Sequence, residues 1–426
     1  MRENYQLSQH QNSTKVGLVF DLIYLAILNT LRNTRRSVIT ILSISVGCAA
    51  LTCFGGFINF TFEGLRETTI RTQLGHLQIY AKDYSEKRIS DLHSVLIHNI
   101  DDLITTVESI EGVSSVTPRL AFSGIGGAGK NTVNMTVKGV DPIRDVDFAD
   151  FEIVIDGRNL VPGDEDVGVI GSELAKGIDA NVGDWVTVMT TSLDGVFNVI
   201  DFQVIGIVRT GSAEYDSVFV KVPIKLARRA LNTNSAERLL VLLHETDSLP
   251  RLRPHIEEAI AKLPEKYEMR QWDELAAFYE AVVTLYTGLF RVFALIIGIV
   301  VMFSVSNTMT MAVFERTSES GALRAIGANQ QIIVKMFLYE GIFIGILGGV
   351  FGVLLSLAIA WFVDLIGGIE MPPPPSMSEG YQAYFLMTPE ILFVSFTISA
   401  LTAVISSVYP AWSASRTNIV EALQKQ

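Results

Sequence analysis

Cysteine, histidine and charge are all scarce in this sequence. Of its 426 residues, two are cysteines, six are histidines and 18% are charged, whereas 49% are apolar. Two cysteines exclude a disulfide scaffold, and Cys48 and Cys53 share one apolar run, where small buried thiols are expected. So little charge, with a mean hydropathy of +0.36, excludes an ordinary soluble protein. We therefore expect part of the chain to lie in lipid.

Recognisable catalytic motifs are also missing. The sequence has no G-x-S-x-G elbow and no H-E-x-x-H, and its histidines are scattered. Residues 124–131 nearly match the phosphate-binding loop G-x-x-x-x-G-K-[ST]. However, Asn131 cannot replace the hydroxyl that holds Mg²⁺, and a strand rather than a helix is predicted to follow. We predict a glycine-rich hairpin there, and we assign no catalytic, cofactor-binding or metal-binding residue to this chain.

Long uncharged runs predict four membrane-spanning helices. A helix needs about 20 apolar residues to cross about 30 Å of hydrocarbon. The sequence offers four such runs, at residues 37–61, 292–314, 341–363 and 391–415. The apolar segment 22–31 is too short to span, so we expect an interfacial elbow helix there, with a cleaved signal peptide as the alternative.

Basic residues near the spans predict their orientation. Five of them precede the first span, and Arg316, Arg324 and Lys335 lie between the second and third, whereas the connection 364–390 has four acids and no base. By the positive-inside rule, both termini and the connection 315–335 are cytoplasmic. The segment 62–277 then lies outside, and its 22 Lys and Arg against 34 Asp and Glu account for the whole net charge of −12. An acidic balance disfavours a nucleic-acid partner.

The outside segment is predicted to be a mixed α/β domain of short strands and helices, carried on two helices that outgrow the bilayer. Residues 272–314 contain no proline and favour one helix of roughly 43 residues, about 64 Å long. The first span is expected to continue to Leu74, with Gly75 as its C-cap. A break of each helix at the membrane surface is the alternative.

These inferences give a layout of nine parts. They are a cytoplasmic N-terminus with the elbow helix (1–36), span one (37–61), the external α/β domain with stalk extensions (62–277), span two (278–314), a cytoplasmic coupling segment (315–335), span three (336–363), an external loop (364–390), span four (391–415) and a cytoplasmic C-terminus (416–426).

The coupling segment carries a recognisable motif. Residues 314–329 read Phe-Glu-Arg-Thr-Ser-Glu-Ser-Gly-Ala-Leu-Arg-Ala-Ile-Gly-Ala-Asn, a short charged helix that ends at a glycine. They resemble the E-R-x-x-E-x-G-x-L-R-A-x-G-A motif of the FtsX/MacB-type (type VII) ABC transporter permeases, with Ser320 where that family usually has isoleucine. The segments 25–33, 157–184 and 410–423 resemble that family's elbow and first span, its MacB-like periplasmic core domain and its C-terminus.

The resemblance implies a fold and a mechanism. The fold is an α-helical membrane protein with four transmembrane helices and a large extracytoplasmic α/β domain, the MacB-like periplasmic core, between helices 1 and 2. Two such subunits, identical or siblings, would dimerise in a bacterial inner membrane. A separate cytoplasmic ABC ATPase would use ATP and Mg and pass its motion through the coupling helix, so this chain would be a non-catalytic permease. The implied ATPase-coupling residues are Glu315, Arg316, Glu319, Gly321, Leu323, Arg324, Ala325 and Gly327.

Chain length and topology favour the lipoprotein-releasing LolC/LolE type among these permeases, because FtsX-like chains have a smaller outside domain and MacB carries a fused ATPase. The implied function is release or export of lipoproteins, with lipoprotein cargo and membrane lipid as partners and a periplasmic carrier or adaptor left open. The alternatives are a split MacB-like efflux permease for peptides or small molecules and an FtsX-like regulator of envelope enzymes. Cargo is expected to enter between spans one and two, past Phe54, Phe57, Val292 and Leu295.

A membrane-anchored receptor, with a ligand-binding outside domain and no transport, is the hypothesis from another class. The cytoplasmic segments are all short, whereas a sensor would need an output domain. The short cytoplasmic segments, together with the helix at 315–329, therefore favour a permease over a receptor.

Overall fold

The protein is described here from a computed structural model, which covers residues 24, 28, 30, 32, 34–87, 93–129, 131–149, 152–210, 213–372 and 380–416. The chain divides into two compact units. The helical unit comprises residues 1–62, 283–369 and 382–426, and the sheet domain comprises residues 63–282 and 370–381. Most of the predicted elbow segment 22–31 and the C-terminal part of the motif at 410–423 lie outside the described residues.

The helices and strands alternate irregularly along the chain. The helices are α1 (Thr34–Thr69), α2 (Tyr84–Lys87), α3 (Ile100–Glu108), α4 (Val146–Ala149), α5 (Ser172–Ile178), α6 (Ala213–Asp216), α7 (Ile224–Leu231), α8 (Leu249–Ile260), α9 (Trp272–Leu275), α10 (Ala277–Glu315), α11 (Thr317–Ala325), α12 (Gln330–Leu365) and α13 (Pro389–Ser415). The strands are β1 (Leu77–Ala81), β2 (Val113–Gly127), β3 (Val133–Val140), β4 (Ile153–Gly157), β5 (Val167–Gly171), β6 (Trp185–Thr191), β7 (Phe197–Arg209), β8 (Phe219–Pro223), β9 (Arg238–Leu243), β10 (Tyr267–Gln271), β11 (Ile369–Met371) and β12 (Tyr381–Ala383).

Among the described residues, four helices are long and apolar enough to cross a membrane, which confirms the four predicted spans. They are α1, α10, α12 and α13, with 36, 39, 36 and 27 residues. Their shared core contains Val305, Phe337 and Ala403. The two cysteines are free thiols, and Cys48 is buried between α1 and α12, where its Cβ lies within 2.5 Å of the position a Gly352 Cβ would occupy.

Of the predictions for the two longest helices, one is confirmed and one is wrong. After Thr69, α1 continues as a π-helical turn (Ile70–Leu74) and ends at Gly75 with φ +66°, as the sequence predicts. The prediction of one helix over residues 272–314 is wrong, because Ala276 leaves the helical region (φ −91°, ψ 59°) and separates α9 from α10. The turn lets Trp272 bury its ring in the sheet-domain core, edge-on to Tyr279 at 5.0 Å between centroids.

The sheet domain contains one large sheet with the strand order β10-β1-β9-β2-β3-β8-β5-β7-β4. Neighbouring strands are antiparallel except for the parallel pairs β3–β8 and β5–β7. Strand β6 pairs with both β7 and β2, so β2, β3, β8, β5, β7 and β6 close into a ring. Closure leaves these six strands without a free edge along the ring.

Two apolar cores support this sheet. In β6 every second residue is buried, and Val186 and Val188 point into the ring together with Phe202 and Val220. Helices α5 and α7 pack on that core. The second core lies where α3 and α8 cover β1 and β9, with Leu103 and Ile256 fully buried against the strands. The α/β character predicted from the sequence is therefore present, with one mixed sheet shared by two cores.

Candidate functional site: a short helix between two long apolar helices

Helix α11 is set off from its neighbours by a break at each end. At its start, Arg316 adopts φ −103° and ψ 18° and interrupts the helix between Glu315 and Thr317. At its end, the Gly327 N–H donates to the Arg324 carbonyl and the Ala328 N–H to the Leu323 carbonyl, both at 3.0 Å. This is the Schellman arrangement, and it requires the positive φ of Gly327, which is +103°. The result is a rigid nine-residue helix with defined ends.

Two ion pairs join this segment to the start of α1. Arg36 lies 2.5 Å from Glu315 and Arg32 lies 2.7 Å from Glu319. The two acids are four residues apart and so are the two arginines, but the acids stand on either side of the break at Arg316, so the pairs hold the end of α10 and the start of α11 against the same segment. All four side chains are partly exposed, so each pair contributes only about 0.2–1 kcal/mol. Their effect is to orient α11 rather than to hold the fold together.

A third pair is buried. The Arg316 guanidinium lies 3.1 Å from the Glu340 carboxylate on α12, and both side chains are at most 4% exposed. This pair was not predicted from the sequence. The available signal was a carboxylate within an apolar helix, because buried charges in such a setting need a partner.

The side of α11 that faces away from the buried Ser320 and Gly321 carries Glu319 and an exposed apolar surface. Ile326 is 84% exposed and Leu323 is 40% exposed, and Ala322 and Ala325 are exposed beside them. We call Ala322, Leu323, Ala325 and Ile326 the α11 face. Ser320 is buried, so a side chain at that position cannot form part of the exposed face.

The predicted coupling residues thus fall into distinct environments. Leu323 and Ala325 are exposed, Arg324 is half-buried, Gly321 is buried, and Gly327 shapes the end of the helix. Glu315, Arg316 and Glu319 are engaged in ion pairs within the chain.

The four residues predicted to line a cargo path lie on different faces. Phe54 of α1 packs against Phe290 and Phe293 of α10, with centroid distances of 6.2 and 4.8 Å. Val292 and Leu295 point away from that contact and are exposed, and Phe57 is half-buried. An apolar groove of about 540 Å³ lies between α1 and α10 instead, beside Gly47. It is lined by Ile39, Leu42, Ser43, Val46, Gly47, Ala50, Ile297, Val300 and Val301.

The end of α1 is fixed in the sheet domain by a buried hydrogen-bond chain. The Leu243 N–H donates to Nδ1 of His76 (3.1 Å), so Nε2 carries the proton and donates to the Thr246 hydroxyl (2.9 Å). That hydroxyl donates to the Glu67 carboxylate on α1 (2.6 Å). Burial lowers the pKa of His76 from 6.5 to about 4, and the ring is neutral in this network.

The glycine-rich stretch 124–131 has no phosphate-loop geometry. It runs from the end of β2 toward β3, and the two strands pair from Gly126 with Val133 onward. The predicted hairpin is confirmed, although Lys130 lies outside the described residues. Across the residues that the structure describes, no group of three or more His, Cys, Asp or Glu side chains could hold a metal ion.

Two family models match the chain. The model of the MacB-like periplasmic core domain matches residues 37–259, more than half of the chain, and the model of the FtsX-like permease C-terminal region matches residues 291–419. The first match begins in α1 and ends in α8. The second begins in α10 and includes α11, α12 and α13.

Several curated proteins are similar in sequence. The ABC transporter permease YtrF of Bacillus subtilis is 39% identical over 28% of each chain. The lipoprotein-releasing system transmembrane protein LolC of Neisseria meningitidis is 24% identical over 76% of this chain and 81% of its own. The macrolide export ATP-binding/permease protein MacB 2 of Yersinia pestis is 24% identical over 94% of this chain and 57% of its own.

Among solved structures, the periplasmic region of MacB from Actinobacillus actinomycetemcomitans covers 51% of this chain and 96% of its own, with 19% identity and a TM-score of 0.39. The family is established by the core-domain model, which spans more than half of the chain, together with the permease model that covers the later helices. The chain belongs to the FtsX/MacB-type family of ABC transporter permeases.

Proposed function

We propose that this chain is the permease subunit of an ATP-driven transporter in a bacterial inner membrane, with both termini in the cytoplasm. A partner ATPase binds ATP and Mg and hydrolyses the nucleotide. The observation that carries this proposal is α11, a short helix between two membrane-spanning helices, which ion pairs hold in place and whose side away from Ser320 and Gly321 is exposed and largely apolar.

The α11 face is the proposed contact with the ATPase. Leu323 and Ile326 are large enough to fill an apolar groove on a partner, and burying such side chains stabilises a contact by about 1.5–3 kcal/mol each. The ion pairs connect the helix to α1 through Arg32 and Arg36, and to α12 through Glu340. A displacement of α11 by the ATPase would therefore act on α1 and α12 together.

Helix α1 offers a route from that site to the sheet domain. It is continuous from Thr34 to Thr69, and its C-terminal turns are bound within the sheet domain through Glu67, Thr246 and His76. Hydrogen bonds and rigid helices are the elements through which a mechanical displacement can pass. This arrangement supports transmission of ATPase motion to the extracytoplasmic domain.

We further infer that the cargo is a lipoprotein, released or exported from the inner membrane. The support is the collinear similarity to LolC, which extends over about four-fifths of that protein. The apolar groove between α1 and α10 and the exposed Val292 and Leu295 offer a surface on which an acyl chain could lie. We assign no periplasmic carrier or adaptor to this chain.

A split efflux permease for peptides or small molecules is the second candidate. It is favoured by the match to MacB 2, which covers 94% of this chain. The two candidates share the ATPase contact and differ in what occupies the groove. A regulator of envelope enzymes would share the ATPase contact and carry no cargo there.

One experiment separates these outcomes. The full chain is purified from its native membrane and analysed by native mass spectrometry, alone and as the Ile326→Glu and Ile366→Glu variants. Both isoleucines are exposed C-cap residues, Ile326 of α11 and Ile366 of α12, and Ile366 stands at the opposite end of α12 from the coupling segment. We expect an ABC ATPase and an acylated protein bound to the wild type, loss of the ATPase in Ile326→Glu, and its retention in Ile366→Glu.

The other outcomes are equally informative. Retention of the ATPase in Ile326→Glu refutes the α11 face as the contact. A bound peptide or small molecule, in place of an acylated protein, favours the efflux permease, and an ATPase without any cargo favours the regulator.

A further inference from the structure

Four cations form a row across the centre of the sheet domain. In the strand register Arg238 of β9 lies opposite Arg119 of β2, and Lys138 of β3 lies opposite Lys221 of β8. Lys138 also pairs with Ala121, two residues from Arg119, so the four side chains follow one diagonal across β9, β2, β3 and β8. Like charges on neighbouring strands repel one another, and such a row needs compensating anions.

Three of the four cations have an acidic partner. Arg119 is paired with Asp145, Lys221 with Glu152, and Arg238 with Glu237 at 3.2 Å. Lys138 differs, because its ammonium lies over the rings of Tyr215 and Phe219, at 4.8 and 5.8 Å from their centroids. Within the described part of the chain, no carboxylate lies within ion-pair distance of Lys138.

The four side chains surround a small cavity of about 30 Å³. Arg119, Lys138, Lys221 and Arg238 line it together with Asp145 and Glu152, which gives the lining two more positive than negative charges. Arg119 is 8% exposed, and its Nη1 atom is buried with no hydrogen-bond acceptor among the described residues. A buried N–H group of a cation that lacks an acceptor is costly, so this atom offers a donor to an anion or a water.

We propose that this cavity is a binding site for one monatomic anion of the chloride class, held by Arg119 and Lys138. The cavity has room for a single small ion or about one water. The anion would accept the unused hydrogen bond of Arg119, give Lys138 a counter-ion, and bring the charge of the lining closer to neutrality. It would thereby stabilise the strands that join the two cores of the domain.

The site predicts that anion binding depends on pH. Burial and the neighbouring Arg119 and Arg238 lower the pKa of Lys138 to about 7, against the opposing effect of Glu152 and Asp145. Lys221 of β8 and the phenol of Tyr215 complete the titratable groups that line the cavity around it. An anion favours the protonated lysine, so binding should be tighter below pH 7 than above it.

The test compares thermal midpoints of the purified full chain in chloride, bromide and gluconate at constant ionic strength, at pH values on either side of 7. We expect chloride and bromide to raise the midpoint relative to gluconate, more strongly at the lower pH. The shift should vanish in Lys138→Met, which removes the charge, and persist in Lys225→Met, where the lysine is an exposed residue of α7 in the same domain.

Two results would overturn the proposal. One is a halide-dependent shift of equal size in Lys138→Met. The other is the absence of a bromide anomalous peak at this cavity in wild-type crystals soaked in bromide, which would show that water alone fills it. The crystallographic measurement holds even if Lys138→Met fails to fold.

Discussion

His76 links the end of α1 to the sheet domain through a neutral imidazole. Its pKa is about 4 in the folded chain and 6.5 as the ordinary value. The unfolded chain therefore binds the proton more readily, so this contribution to stability is complete above pH 6.5 and is lost as the pH falls toward 4. Its upper size is about 3 kcal/mol.

The corresponding prediction concerns how the stability of the chain falls at acid pH. In His76→Gln the amide can still accept from Leu243 and donate to Thr246, but it does not titrate. We expect its thermal midpoint to fall less steeply than that of the wild type between pH 6.5 and 4. His255→Gln, at an exposed position of α8, should keep the wild-type slope. Equal slopes in His76→Gln and the wild type would show that the acid sensitivity has another source.

The buried Arg316–Glu340 pair gives a second prediction at the residue scale. Removing one partner leaves a buried charge uncompensated, which costs about 3–5 kcal/mol, whereas replacing both by apolar residues costs far less. We expect Glu340→Leu and Arg316→Met each to lower the thermal midpoint strongly, and the double variant to recover much of the loss. Additive losses in the double variant would contradict the pairing.

The sequence identified α11 but not its contacts. The motif at 314–329 marked Glu315, Arg316 and Glu319, and the structure gives each of them a partner inside the chain. Those partners lie far away in sequence, so no local pattern could connect them. The matched four-residue spacing of Arg32 and Arg36 was the one signal available. The row of four cations in the sheet domain could not be predicted from the sequence either, because only the strand register brings these residues together.

At the scale of elements, α12 is packed through glycine. A Cβ on Gly345 would come within 2.9 Å of the Ala403 Cβ on α13, and one on Gly352 within 2.5 Å of the Cys48 Cβ on α1. Small residues let membrane helices approach closely, and this close approach replaces the hydrophobic driving force that lipid does not supply. The glycines of this helix therefore fix its position between two neighbours.

We predict that Gly345→Leu lowers the stability of the helical unit by about 1–3 kcal/mol, because the added side chain must displace α13. Gly288→Leu is the matched control, since a Cβ there meets nothing within 4 Å. The measurement is the thermal midpoint of each variant in the same detergent. Similar midpoints for the two variants would mean that α12 and α13 are not closely packed at Gly345.

Element boundaries show where sequence patterns stop being informative. The charge-free runs predicted the four long helices because a membrane-spanning helix needs a minimum length. Gly75 predicted the end of α1 because glycine readily adopts the positive φ that ends the helix there. The break at Ala276 could not be predicted, since nothing in the local sequence forbids a helix there and the burial of Trp272 decides it. Strands β2 and β7, with 15 and 13 residues, are also longer than the short strands predicted for this domain, and each exchanges partners along its length.

At the scale of the whole molecule, charge and hydropathy belong to different parts. The apolar excess lies in the four long helices, and the acidic excess lies in the segment 62–277. Within the acidic domain, the basic side chains of Arg119, Lys138, Lys221 and Arg238 are collected around one internal cavity. The chain thus combines a membrane part, in which α11 is the proposed ATPase contact, with a domain whose strands meet at a charged centre.

The most direct test of this account is the rate of ATP hydrolysis by the full chain, reconstituted in lipid with its co-purified ATPase and without it. We expect hydrolysis by the complex and none by this chain alone, because the proposed role of the chain is to transmit the motion of a partner. Hydrolysis of ATP by the isolated chain at the rate of the complex would contradict it.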